Sequence, residues 1–519
     1  MAATDPGALG AVLSGPVASG DWLVIAPVVI AIAAGALLLM LRHHLRWQAA
    51  YASGCLLLML AANAALLVRV LSDGPLVMTM GRWLPPFGIS FAADALGASF
   101  AVVATFVALI CALSSARDID TTGRRYGFYP FLMLMMAGVN GAFLTGDIFN
   151  LYVWFEVFLI ASFGLLILGS EPAQIDGATK YGILNLLATA LFLIATAYLY
   201  GAFGTLNMAD IAVKAAGLRG SAPLMTIATL YLLAFGMKAA AFPVNFWLPA
   251  AYHTPRLVTA ALFGGLLTKI GVYALLRSLV MIFPVERAAL SEVIEWVAIL
   301  TMICGVMGAL AQTDVRRMFG FLVISGVGIM LAGLALGSPL GVSGTILYAV
   351  HSMLVMSALY LLAGAMREMG GSFLLTELGG IYRKSTFLTA VALLIFLAAA
   401  GLPPGSGLWP KVMLAKAAID GGGWLLAGAI LATGFMTSIA LGRVFVLAFW
   451  RDAQKAGPVD STIKSVPRLA IYAPLVSLTI PIVVLGIIPE QFIRIAELAS
   501  AGLIDVTAYV RAVFPAGGS

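Results

Sequence analysis

The sequence predicts an all-α polytopic membrane protein. Three observations point there. Hydrophobic residues make up 62% of the 519 and charged residues only 10%; mean hydropathy is +1.05; and apolar runs of roughly 20 residues, the length needed to cross a hydrocarbon core of about 30 Å, recur along the whole chain. Soluble domains carry about 25% charged residues, so a chain this poor in charge cannot clothe a water-facing surface.

The runs lie near 21–40, 48–70, 94–114, 128–146, 148–169, 178–203 and 222–247, then 256–278, 288–311, 316–337, 341–365, 385–420, 422–449 and 467–489, about 14 segments. Residues 1–20 form a short N-terminal segment without the basic region of a signal peptide. Residues 21–489 form one membrane domain, and the tail 490–519 is amphipathic, expected to lie on the membrane surface.

Two segments carry helix breakers. The seventh contains LLAFGMKAAAFPVNFWLP (232–249) and the twelfth GLPPGSGLWPK (401–411). Pro243 cannot donate to the Ala239 carbonyl, nor Pro410 to that of Ser406, and Pro403 and Pro404 add two further lost donors. Breaks are therefore expected in both segments. Five segments separate them, an odd spacing that reverses direction, as inverted repeats require. Segments 4–8 (about 128–278) would match segments 9–13 (about 288–449).

Several function classes are disfavoured. Cys55, Cys111 and Cys304 stand singly in apolar runs, giving no CxxC pair and no iron–sulfur spacing. His43, His44, His253 and His351 offer no HxxxH metal spacing. No metal and no cofactor is expected. The glycines of SGVGIML lie inside a span and read as close helix packing. The excess of Lys and Arg falls in short loops, where it sets orientation and does not mark a nucleic-acid surface. With both termini outside, the inner loops hold sixteen basic residues, among them Lys455 and Lys464, and the outer side eight, among them Arg277.

Five basic residues remain inside spans: Lys238, Lys269, Lys411, Lys416 and Arg443. A charge at the bilayer centre costs roughly 2.5–3.5 kcal/mol or more, so such groups face a bundle interior or a wet cavity. Lys416 and Arg443 sit near helix ends and can snorkel. Lys238, Lys269 and Lys411 sit near mid-segment, as do Glu156 and His351. Glu156 follows Asp147 by nine residues, about 13 Å along a helix. Five titratable groups from five segments thus share one depth. A desolvated lysine loses proton affinity and an approaching carboxylate restores it, while histidine passes protons near neutrality. The set suits a proton relay running parallel to the membrane.

The stretches TGDIFNLYVWFEVFLIASFGLL, KAAAFPVNFWLPAAYHTPRLVTAALFGGLLTKIGVYALLR and GLPPGSGLWPK closely resemble the antiporter-like subunits shared by respiratory complex I and the multisubunit Mrp cation/proton antiporters, the D-type subunits of Mrp above all. The likeness runs from about residue 20 to 490. It implies that Glu156, Lys238, Lys269, His351 and Lys411 match the relay residues of the fifth, seventh, eighth, eleventh and twelfth helices. It further implies a bacterial inner-membrane assembly with Mrp subunits A, B, C, E, F and G, exchanging protons for Na+ or K+. The protein would be a secondary transporter with no redox centre of its own. The alternative is a proton-pumping component of a complex I-like or membrane-bound hydrogenase assembly. One departure stands out: many relatives carry a lysine five residues after the histidine, where this chain has Met356. Neither Glu156 nor Lys238 has another opposite charge in its own segment, so the two are expected to form an intramembrane ion pair.

Overall fold

Alternation of apolar runs with capping residues produces a helical bundle, seen here in a computed structural model that describes residues 20–85, 87–452 and 468–514. Residues 1–19 of the N-terminal segment, with Lys455 and Lys464, lie outside the described residues. Eleven helices among the described residues are long and apolar enough to cross a membrane, and three shorter apolar helices lie in the runs at 128–146, 222–247 and 385–420.

In chain order the main helices are α1 (Trp22–Met40), α2 (Leu45–Asp73), α3 (Ala95–Asp118), α4 (Phe128–Leu144), α5 (Ile148–Leu166), α6 (Pro172–Phe203), α7 (Leu224–Ala239) and α8 (Trp247–Tyr252). They continue as α9 (Leu257–Ile282), α10 (Ser291–Ala311), α11 (Val315–Leu336) and α12 (Pro339–Gly370). The last are α13 (Thr386–Ala400), α14 (Leu408–Asp420), α15 (Trp424–Trp450), α16 (Arg468–Ile487), α17 (Glu490–Ile504) and α18 (Thr507–Val513). Side-chain caps start many of them: Asp94 accepts from the Gly97 amide, Asp147 from Asn150, and Ser385 from Leu388. Burial separates centre from rim. The apolar windows of α9 and α12 are 94% buried, whereas that of α2 is 28% buried and turns an apolar stripe outward.

One element departs from an all-helical reading. An antiparallel hairpin, β1 (Leu76–Thr79) paired with β2 (Ser90–Ala93), closes the connection between α2 and α3. The tail also differs from a helix lying only on the membrane surface. The apolar face of α17, with Ala496, Ala499 and Leu503, packs against α12 and α3, and Arg494 and Glu497 point outward.

Both expected breaks exist, and they are built alike. The α7 helix ends in left-handed Ala240 (φ 65°) and α13 in left-handed Gly401 (φ 86°). The Ala241 amide donates to Gly236 O at 2.9 Å, and the Leu402 amide to Leu397 O at 2.8 Å, the same five-residue closure. Six irregular residues follow in each, carrying the cis bonds Phe242–Pro243 and Pro403–Pro404, before α8 and α14 begin. Pro410 plays a different part from the one expected. It is the third residue of α14, where its missing N–H is among those a helix start leaves unpaired, so it supports the new helix and breaks nothing. Pro243 likewise lies beyond the Ala240 turn, inside the connection.

Candidate functional site

Of the three central lysines, one ends on a hydroxyl and two on backbone carbonyls. Lys238, in the last turn of α7, is 4% exposed; its Nζ donates to Thr189 Oγ1 on α6 at 2.8 Å and stands 4.9 Å from the centre of the Phe155 ring. Lys269 is fully buried and donates to Gly264 O at 2.6 Å. That carbonyl belongs to a π-helical turn, Phe263–Leu267, which ends two residues before Lys269, a widening of the helix that offers carbonyls off the normal ladder. Lys411, in the first turns of α14, reaches back across the break and donates to Ala400 O at 2.6 Å and Ala399 O at 3.5 Å. Those carbonyls are the unpaired, partly negative end of α13, a favourable seat for an ammonium.

His351 is held at the same break. Its Nδ1 shares a 2.7 Å hydrogen bond with Ser406 Oγ, and Nε2 has no partner among the described residues. Gly407 passes so close that a Cβ there would stand 2.2 Å from Ala398 O and 2.9 Å from His351 Cε1, so only glycine lets the connection lie against the imidazole. His351 lies within electrostatic range of both Lys269 and Lys411.

Glu156 and Lys238 do not form the expected ion pair. Among the described residues no carboxylate lies within 4.0 Å of Lys238 Nζ; Glu156 Oε1 is buried without a partner and acts on the lysine only through space. The cause is helical phase. Successive side chains point about 100° apart around a helix, and the α5 side chain facing Lys238 is Phe155, leaving Glu156 one step round. No two of Glu156, Lys238, Lys269, His351 and Lys411 are directly hydrogen-bonded among the described residues. By electrostatic neighbourhood the five groups fall into two sets, Glu156 with Lys238, and Lys269 with His351 and Lys411.

The other basic residues of the spans take structural places. Arg443 Nη1 donates to Leu310 O at the end of α10, 2.8 Å away. Lys416 is exposed beside Asp420, at 3.9 Å. Arg277, expected in an outer loop, is instead 1% exposed inside α9. It bonds Asp94 Oδ1 at 2.6 Å and Tyr273 Oη at 3.0 Å, under the Tyr509 ring of α18.

Comparison with known proteins bears directly on this geometry. Residues 145–437, which contain both breaks and Glu156, Lys238, Lys269, His351 and Lys411, match the family described as NADH:quinone oxidoreductase/Mrp antiporter, transmembrane. The chain belongs to this family. Among its antiporter members, the D-type subunit of the Na(+)/H(+) antiporter of Alkalihalophilus pseudofirmus is 37% identical to it over 491 residues, covering 95% of this chain and 99% of that one. A chain in the structure of the Mrp complex from Dietzia sp. superimposes with a TM-score of 0.88 at 28% identity, covering 96% of this chain and 100% of that one. A chain of respiratory complex I from Thermus thermophilus gives 0.80 at 23% identity, over 93% of this chain and 100% of that one, a likeness of fold.

Thr189 and Ser406 do not stand out in the sequence of this antiporter-family chain. A signal for Thr189 is nonetheless present: Asn185, Thr189 and Thr196 are spaced as one buried polar stripe on an apolar helix. Ser406 offers only a hydroxyl inside a glycine-rich break. Met356 gains a meaning too. It lines, with Ser325, Tyr348 and Thr437, a cavity of about 10 Å³ beside Lys411, room for about one water.

Proposed function

We propose that this chain is the proton-translocating subunit of a monovalent cation/proton antiporter complex, coupling proton uptake to Na+ or K+ export through Glu156, Lys238, Lys269, His351 and Lys411. The observation that carries the reading is the second break, where Lys411 rests on the open end of α13 and His351 is tied to Ser406 in the same connection. Buried groups of this kind are costly to keep without a task. Glu156 Oε1, His351 Nε2, Ser325 Oγ, Ser352 Oγ and Thr268 Oγ1 lack partners among the described residues, and ordered water between them would complete a proton path. The names of the relatives support the antiporter reading over a redox-driven pump.

On this reading the partners are the remaining Mrp subunits in a bacterial plasma membrane, with both termini on the outer side. The matched breaks support inverted repeats over about 128–278 and 288–449, with one twist. Aligning the two connections on Pro243 and Pro404 sets Lys238 opposite Ala399 and Lys411 opposite Ala250. The lysine precedes the break in one half and follows it in the other.

The test is Lys411→Ala in the whole complex, assayed as Na+-linked proton exchange in inverted vesicles from a strain lacking other antiporters. The expected result is loss of exchange with normal assembly, because the substitution removes a hydrogen bond worth about 1.5–3 kcal/mol but also a buried charge. Wild-type exchange would reduce Lys411 to a packing residue.

A further inference from the structure

A cavity with almost wholly apolar walls lies where α2, α3, α12, α16 and α17 meet. Its volume is about 260 Å³, and its walls include Val103 and Phe106 of α3, Val350 and Leu354 of α12, Leu485 of α16 and Phe492 of α17. One lining residue is polar, Ser99, and its hydroxyl already donates to Leu96 O at 3.0 Å.

Water has no reason to enter such a space, since a buried water needs 2–4 polar partners. Apolar cavities of about 150 Å³ already take up small hydrocarbons, and close-packed interiors do not leave larger voids unfilled. The position supplies the occupant. Every wall except α17 is a helix long and apolar enough to cross a membrane, and the lining residues Pro481 and Leu485 of α16 are next in sequence to Ile480 and Val484, exposed apolar residues of the same helix. Hydrocarbon is the surrounding solvent at that surface.

We propose that this cavity seats one acyl chain of a bilayer phospholipid, laid behind α12 and covered by the amphipathic helix α17. No charged side chain lines it, so the site selects a hydrocarbon tail and leaves the headgroup outside. The tail packs on the face of α12 formed by Ile346, Val350 and Leu354, one residue from His351. It fills the space behind the helix that carries the relay's histidine.

The test uses the assembled complex in vesicles of phosphatidylethanolamine with a minor share of phosphatidylglycerol, both carrying a photoreactive diazirine at mid-chain. Mass spectrometry then locates the adducts. The expected result is labelling of Val103, Phe106, Val350 and Phe492 alongside the exposed reference Ile480. Val350→Phe fills the cavity and should abolish labelling of Phe106 and Phe492 while Ile480 stays labelled; Ala496→Phe is the substitute if the first fails to assemble. Labelling confined to Ile480 in the wild type would overturn the proposal and leave the cavity to a partner subunit. Undiminished labelling of Phe106 in an assembled, filled variant would overturn it equally.

Discussion

Ser406 Oγ lies 2.7 Å from His351 Nδ1, which ties a fully buried histidine on α12 to the irregular connection between α13 and α14. A histidine whose one nitrogen is fixed presents the other in a defined direction, here Nε2, which has no partner among the described residues.

Ser406→Ala should therefore slow cation/proton exchange without dissolving the complex. The lost bond is worth about 0.5–1.5 kcal/mol net, up to about tenfold in rate if all of it bears on the transfer step. Ser406→Thr keeps the hydroxyl and should restore most activity and the wild-type pH profile. Equal activity and an identical pH profile for the alanine variant would make the contact incidental.

Glu156→Gln should cripple exchange across the working pH range, because it removes the carboxylate that acts on Lys238 through space. Glu156→Asp keeps the charge at a shorter reach, so partial activity with a displaced pH optimum is expected. Both are read as Na+-linked proton exchange at matched expression of the whole complex. A glutamine variant with wild-type rate and profile would return Glu156 to a structural role.

Arg277→Met should strongly weaken the fold by stranding Asp94. Breaking a buried pair by removing one partner costs about 3–5 kcal/mol. Asp94→Asn together with Arg277→Met removes both charges while an amide oxygen can still cap α3, so it should be markedly less harmful than the single change. Thermal denaturation of the solubilised complex would compare them; a double variant no better than the single would show that the charge pair is not what matters.

The bias of sixteen inner to eight outer basic residues becomes sixteen to seven once Arg277 is placed inside α9, and it still favours the proposed arrangement with both termini outside. Exposed positions suited to labelling are His44, Thr122 and Val213. Cysteines at the first two should react with an impermeant reagent only from the cytoplasmic side, and one at Val213 only from the other. Reaction of all three from the same side would refute the arrangement.

Apolar run length makes the helices readable, because a span's hydrophobicity is a local property that the chain carries without its neighbours. The breaks are readable for the same reason, although the proline locations misplace them: left-handed Ala240 and Gly401 end the helices, and Pro410 opens the next one. Direction around a helix is not readable. One step of phase on α5 gives the Lys238 contact to Phe155 and denies it to Glu156. Arg277 is misread because α9 runs on to Ile282 and its partner Asp94 is remote in sequence. The strand at Leu76–Thr79 is four residues in a connection, too short to show a pattern.

Lys411 is a member of one half-helix bonded to the end of the other. As an ammonium it makes a charge-assisted bond, roughly twice as strong as its neutral counterpart, and it sits where the α13 dipole draws it in. The proton on Lys411 is then a tie rod across a joint. If Lys411 takes up and releases a proton as proposed, the joint between α13 and α14 is stiffer with the proton than without it, and the bend of this helix would report on whether the site is loaded.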